Sequence, residues 1–162
     1  MKDQSKPQLD SIDIQILNVL QDNCKLTTKE LAAQVHLSST PVFERVKRME
    51  KEGVIRQYSA IIDNELLGNG FCVFCNIRLK KHSKEYILHF IDAIQKIDEI
   101  VECYNISGDF DFMLKIYVRN MSHYQEFVQN KLGVIESVGS LHSLFVLKEI
   151  KHKQAMIPTD QG

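Results

Sequence analysis

The sequence predicts an α+β protein with a helical N-terminal domain and a mixed C-terminal domain. Three observations support this: apolar residues recur every three or four positions over 10–53, two glycines fall within 64–70, and strict alternation begins at 71. Because helical periodicity stops where strand periodicity starts, we expect domains at 1–63 and 71–153. A hinge at 64–70 joins them, and 154–162 forms a tail.

Composition narrows the class of protein. The 162 residues are 44% hydrophobic and 25% charged, and no apolar run is long enough to cross a bilayer. Residues 1–10 lack the apolar core of a signal peptide, so we expect a cytoplasmic protein without a membrane partner. A net charge of −1 argues against indiscriminate coating of nucleic acid.

The first two helices are predicted from their capping residues. Asp10 is the expected N-cap of a helix that runs to about Asp22. Thr27 and Glu30 fit a capping box, in which each side chain satisfies the backbone N–H of the other residue. The second helix therefore starts near Thr27, and 36–38 forms the turn that ends it.

A third helix is predicted over Leu37–Gly53, with an apolar stripe on one side and polar groups on the other. Ser38 or Thr40 can cap it, Pro41 is tolerated in its first turn, and Gly53 supplies the left-handed residue that stops it. Three short helices with narrow apolar stripes bury one small core as a helix-turn-helix domain. The alternating segment 54–63 predicts a strand that leaves this domain, as in a winged helix-turn-helix.

The third helix has the form that a DNA major groove accepts. Five basic and three acidic residues lie between Glu44 and Arg56, so any positively charged DNA-binding surface is local and modest. We therefore expect DNA affinity to require two or more copies of the domain acting together. Lys51 and Arg56 are expected on phosphates. Glu44 either accepts from cytosine N4 or pairs with Arg48 within the helix, and the whole face can equally be merely solvated. The residues expected to contact DNA are Ser38, Ser39, Thr40, Pro41, Glu44, Arg45, Lys47, Arg48, Lys51 and Arg56.

The C-terminal segment alternates strand and helix patterns in the order β-α-β-β-α-β, which predicts a ferredoxin-like sandwich of two helices on an antiparallel sheet. The expected elements are strand Phe71 to Leu79, helix Ser83 to Ile97, strands Ile100 to Ile106 and Phe110 to Val118, helix Ser122 to Leu132, and strand Ser140 to Lys148.

The face of this sheet opposite the helices also carries apolar residues, which predicts homodimerisation sheet to sheet unless the strand registers are misassigned. Those residues are Cys72, Phe74, Tyr104, Ile106, Met113, Leu144 and Val146. The cysteines lack zinc-site spacing, and Cys72 and Cys75 point to opposite faces of a strand, so no metal is expected.

Two segments together resemble one known family. LDSIDIQILNVLQDNCKLTTKELAAQVHLSSTPVFERVKRMEKEGVIRQY and ECYNISGDFDFMLKI are similar to the leucine-responsive/asparagine-regulator (Lrp/AsnC) transcription factors, over about Leu9 to Lys153. The resemblance implies an amino-acid-responsive DNA-binding regulator that dimerises through its C-terminal domain and often assembles into octamers. It implies no cofactor, and an amino acid bound where C-terminal domains meet.

The resemblance also assigns effector residues. Gly108 allows a sharp turn whose N–H groups can hold an α-carboxylate, and of Asp109 and Asp111 one can pair with the ammonium while the other serves the turn. Leu144 favours an effector with an apolar side chain. The implied effector residues are Tyr104, Ser107, Gly108, Asp109, Asp111, Met121, Ser143 and Leu144.

Two other functions fit parts of the sequence. Some haem-pathway decarboxylases share the two-domain layout, but the six histidines form no short-range constellation, so we expect no enzyme. An architectural DNA-binding protein without a small-molecule effector would share the helix-turn-helix and the dimer. Thermal stability in the presence of amino acids separates it from a regulator.

Overall fold

The computed structural model describes residues 7–152, and the predicted tail at 154–162 lies outside these. The chain divides into two compact units, one ending at Ala60 and the other spanning Ile61–Ile150. The segment predicted as a hinge forms a turn in which the amides of Glu65 and Leu66 donate to the Asp63 carboxylate. The hinge itself stays a prediction.

The first unit contains helices α1 (Ser11–Asp22), α2 (Thr28–Gln34) and α3 (Ser39–Lys51). The Asp10 cap of α1 is confirmed, and the Asp13 carboxylate accepts a hydrogen bond from the Asp10 amide, which completes a capping box. The Thr27–Glu30 capping box of α2 is confirmed as well. Local hydrogen bonding therefore sets the starts of both helices.

Helix α3 matches its predicted stripe. Val42 and Met49 are fully buried in the core of the unit, and Gly53 has φ +74° just beyond the helix, as expected of a residue that stops it. Ser38 occupies the N-cap position, but its side chain makes no capping hydrogen bond, so that part of the prediction is wrong. Thr40 lies inside the first turn and does not precede it.

The strand predicted at 54–63 is also wrong for this chain. The amides of Val54 and Ile55 donate to the Met49 carbonyl at 2.9 and 3.1 Å, closing the end of α3. Their side chains pack on the core of the first unit. A strand needs a hydrogen-bonded partner strand, and within residues 7–152 none pairs with this segment.

The second unit confirms the predicted β-α-β-β-α-β order. Its sheet is antiparallel throughout with strand order β2-β3-β1-β4. The elements are β1 (Phe71–Leu79), α4 (Lys84–Ile94), β2 (Ile100–Asn105), β3 (Phe112–Val118), α5 (Met121–Phe127), a π-helical turn (Val128–Leu132) and β4 (Val138–Phe145).

Both helices of this unit pack on one face of the sheet. Val73, Cys75 and Ile77 of β1 are fully buried there, and the rings of Phe90 and Phe112 approach to 4.7 Å between centroids. Alternation along β1 therefore sets which side chains enter the core.

The opposite face, called here the open sheet face, is more polar than the sequence analysis indicated. Strand pairing places Phe74 beside Lys115 and Leu144, and Met113 beside Asn76 and Tyr104. An ion pair between Lys115 and Glu102 crosses it at 3.4 Å. The open sheet face comprises Cys72, Phe74, Asn76, Arg78, Glu102, Tyr104, Met113, Lys115, Tyr117, His142 and Leu144.

We expect the protein to lose stability above pH 10. Burial, assisted by a hydrogen bond to the Glu50 carboxylate, raises the pKa of Tyr58 to about 12, and burial raises the pKa of Tyr117 and Tyr124. Unfolded tyrosines lose their protons near pH 10, so the stabilisation is complete below that pH and disappears as pH rises through the folded values. Urea unfolding at pH 9 and 11 measures the loss, and Tyr58→Phe should reduce it. An unchanged midpoint would contradict the expectation.

Candidate functional site

The outer face of α3 presents a short set of polar groups. Thr40, Glu44, Lys47 and Lys51 are exposed, as the helical wheel indicated. The Lys47 ammonium donates to the Glu50 carboxylate at 2.7 Å. This face can offer hydrogen bonds to base edges, with Lys51 free of a carboxylate partner within the described residues.

Two arginines of α3 turn away from that face. Arg45 donates to Asp10 at 2.6 Å and to Asp13 at 2.8 Å, and Arg48 pairs with the other oxygen of the Asp13 carboxylate. Arg48 thus bonds to α1, and no pair with Glu44 is formed among the described residues. We call these four residues, Asp10, Asp13, Arg45 and Arg48, the ion cluster.

The remaining predicted DNA contacts lie at the two ends of α3. Ser38 and Ser39 are exposed before the helix, Pro41 is half-buried in its first turn, and Arg56 is exposed beyond its end. Phe43 was not among the predicted contacts, yet its side chain is 51% exposed on α3. The Lys47 ammonium lies 5.8 Å from the centre of the Phe43 ring. The helical wheel places Phe43 next to Lys47 and could have indicated it.

The loop that joins β2 to β3 uses Asp111 to hold its shape. Its carboxylate accepts from the Leu79 amide at 2.7 Å, and its other oxygen lies 2.9 Å from the His82 ring nitrogen Nδ1. Its amide donates to the Ile77 carbonyl, and its own carbonyl accepts from the Asn105 side chain. Of the two predicted aspartates, Asp111 therefore serves the turn.

Asp109 is the aspartate left available. Its carboxylate is exposed and has no hydrogen-bond or ion-pair partner among the described residues, while its carbonyl accepts two hydrogen bonds from Arg78 at 2.5 and 2.8 Å. Gly108 has φ +116°, which a side chain rarely adopts, so the sharp turn depends on glycine. Ser107 is exposed beside it.

The loop is supported by residues that sequence analysis missed. The Arg78 guanidinium lies 5.6 Å from the centre of the Phe110 ring, and the His142 ring stacks on the same ring with 6.0 Å between the centroids. His82 pairs with Asp111. Only the strand register brings β1 and β4 beside the loop, so the sequence by itself carried no signal for these contacts.

The other four predicted effector residues lie elsewhere in the unit. Tyr104 and Leu144 are on the open sheet face, and Tyr104 donates to Glu102 at 2.7 Å. Ser143 points to the helix side, where its hydroxyl lies 2.5 Å from the Tyr124 hydroxyl. Met121 follows β3 at the end opposite Asp111, on the order of 20 Å away at strand rise. One chain does not gather these eight residues around one pocket.

Among the described residues, no group of three His, Cys, Asp or Glu side chains is arranged to hold a metal ion. No helix in 7–152 is long and apolar enough to span a bilayer.

Comparison with known proteins identifies both units. Residues 72–156 match the Lrp/AsnC ligand binding domain, and residues 9–56 match a winged helix-turn-helix DNA-binding domain. The chain is 38% identical over 157 residues to the leucine-responsive regulatory protein of Haemophilus influenzae, covering 97% of this chain and 95% of the relative. It is 36% identical over 148 residues to the Bkd operon transcriptional regulator of Pseudomonas aeruginosa, covering 91% and 97%.

Solved structures agree with these matches. A transcriptional regulator from Neisseria meningitidis, in complex with L-methionine, superposes with a TM-score of 0.88 at 34% identity, covering 92% of this chain and 96% of that one. The relatives are named as regulators, which confirms the expectation that the chain is not an enzyme. By domain order, sequence and structure, this chain belongs to the Lrp/AsnC family of helix-turn-helix transcriptional regulators.

Proposed function

We propose that this chain is a cytoplasmic transcriptional regulator whose binding to DNA responds to an amino acid. The observation that carries the proposal is the exposed carboxylate of Asp109 beside Gly108, which has no partner within residues 7–152, in a loop whose shape Asp111 maintains. A carboxylate and the backbone N–H groups of a turn complement the ammonium and carboxylate that every amino acid carries. Under this proposal, the helix-turn-helix domain binds DNA in the cytoplasm, and effector binding changes that affinity.

We propose an apolar side chain for the effector. The neighbour from Neisseria meningitidis was solved with L-methionine, which is one such amino acid. In this chain Leu144 and Met121 are 46% and 43% exposed and offer apolar contact area. Leucine, methionine and the other branched-chain amino acids fit this chemistry.

The effector site is proposed to lie between copies of the chain. Met121 and the loop Ser107–Asp111 stand at opposite ends of β3, and Ser143 faces away from Leu144, so one copy cannot bring them to one ligand. A second C-terminal domain can supply the missing part. Effector binding would then be coupled to assembly by mass action.

We propose that the copies dimerise through the open sheet face. Both helices pack on the other face, and Phe74, Tyr104, Met113 and Leu144 leave apolar surface that a second sheet can cover. Dimers of this kind can associate further into an octamer, and light scattering with and without effector measures that step.

The DNA surface is proposed to be the outer face of α3, with its flanking residues. Thr40, Glu44 and Lys47 are proposed to contact base edges. Lys51 and Arg56 are proposed to contact phosphates. Ser38, Ser39 and Pro41 form the entry to the helix. A twofold dimer would set two such helices in successive major grooves.

Thermal unfolding in the presence of each of the twenty amino acids tests the effector. A ligand that binds only the folded assembly must raise the melting temperature in proportion to the logarithm of its concentration. We expect a rise with leucine, methionine or a branched-chain relative, and none with aspartate or lysine. No response to any amino acid at millimolar concentration would favour an architectural DNA-binding protein instead.

A further inference from the structure

The ion cluster of the first unit holds two cations of the proposed DNA-reading helix against α1. The Asp13 carboxylate is fully buried, and each of its oxygens accepts from a different arginine of α3. Asp10 adds a second carboxylate to Arg45. Two carboxylates and two guanidinium groups give the cluster no net charge.

A buried carboxylate makes this arrangement hard to undo. If either arginine moved away, one oxygen of the buried Asp13 carboxylate would lose its charged partner. Such an unpaired buried charge is strongly unfavourable. Asp13 also accepts from the Asp10 amide, so its position is fixed by the start of α1. The arginines are therefore not free to reach for phosphates as flexible surface side chains do.

The cluster changes the charge that α3 can offer to DNA. Of the five basic residues between Glu44 and Arg56, Arg45 and Arg48 are neutralised by the cluster and Lys47 bonds to Glu50. Lys51 and Arg56 have no carboxylate partner among the described residues. Electrostatic attraction to any DNA sequence depends on such free cations.

We propose that Asp10 and Asp13 act as internal counter-charges that keep Arg45 and Arg48 on α1, so that one unit binds random DNA weakly and discriminates through the rest of the α3 face. Asp13 is a positioning residue in this scheme, because it acts through the arginines and fixes the angle of α3 on α1. The inference depends on the proposed role of α3 in DNA binding and assigns its arginines to a task different from base readout.

The salt dependence of binding separates this role from a direct phosphate contact. Each phosphate that a cation neutralises adds about 0.9 to the slope of log affinity against log salt. Arg48→Met keeps an unbranched apolar side chain and removes the charge. Lys51→Met makes the same kind of change about one helical turn further along α3, at a lysine outside the ion cluster. It is therefore the matched control.

The experiment measures binding of full-length protein to a random-sequence duplex and to the sequence most enriched by selection, over a series of salt concentrations. We expect Lys51→Met to make the slope shallower by about 0.9 per contacting copy. Arg48→Met should leave both slopes unchanged and lower the melting temperature. A slope that falls equally in both variants would overturn the inference while leaving α3 as the DNA surface.

Asp10→Asn tests the counter-charge without removing the helix cap. Asparagine caps helices as well as aspartate does, so α1 keeps its start while the cluster gains one net positive charge. We expect binding to random DNA to rise at least about twofold, with a smaller gain on the enriched sequence. Equal or absent gains on both sequences would overturn the role of Asp10.

If Lys51→Met also leaves the slope unchanged, the assignment of α3 itself fails, and the inference fails with it.

Discussion

Leu144→Glu is expected to convert the proposed dimer into a monomer. Leu144 lies beside Phe74 on the open sheet face and is 46% exposed in the single chain. A second sheet laid over it would bury a carboxylate without a partner, which costs far more than the lost apolar contact. Loss of the paired α3 helices should then lower affinity for a twofold DNA site by about 10²- to 10⁴-fold. Sedimentation and DNA titration measure the two effects.

Leu88→Glu is the matched control for this variant. Leu88 is 54% exposed on α4, in the layer on the other side of the sheet. The same charge placed there should leave the dimer intact. Retention of the dimer by Leu144→Glu would show that the open sheet face is not the interface.

Asp109→Asn is expected to remove most of the response to the effector. Its carboxylate is the free anion of the loop, and a charge-assisted hydrogen bond to an ammonium contributes roughly 1.5–3 kcal/mol, or about 10- to 150-fold in affinity. Calorimetric titration with the amino acid that raises the melting temperature most measures the loss. DNA binding in the absence of effector should stay as in the natural sequence.

Two other aspartates serve as controls. Asp98→Asn changes an exposed aspartate just before β2, at the far end of the sheet, and should leave effector affinity unchanged. Asp111→Asn should lower thermal stability, because its carboxylate accepts from the Leu79 amide and lies beside the His82 ring. An Asp109→Asn protein that binds the effector normally would rule this carboxylate out as the ammonium partner.

Local signals predicted most of the fold. The helix cap at Asp10, the capping box at Thr27 and the alternation of β1 depend on neighbours within a few residues, so the sequence displays them directly. The segment 54–63 was misassigned because alternation indicates a strand without saying whether a partner strand is present. The polar content of the open sheet face was underestimated because only its apolar residues were counted, although alternation places Asn76 on the face of Phe74 and Lys115 on the face of Met113.

The candidate sites were predictable to a smaller extent. The polar face of α3 could be located from periodicity, since exposure on a helix follows residue spacing. The ion cluster could not, because Asp13 and Arg48 are separated by 35 residues and meet only once α1 packs on α3. The different roles of Asp109 and Asp111 could not be predicted either. They depend on the end of β1, where the Leu79 amide donates to the Asp111 carboxylate.

Selection of bound DNA from a random pool, with and without a mixture of amino acids, tests the regulator most directly. A dimer with two reading helices should enrich sites of twofold symmetry, with half-sites separated by about one helical turn, 10–10.5 base pairs, or a multiple of it. We expect such sites, and an enrichment that changes when amino acids are present. A pool with no enriched sequence, or one that amino acids leave unaltered, would contradict this expectation.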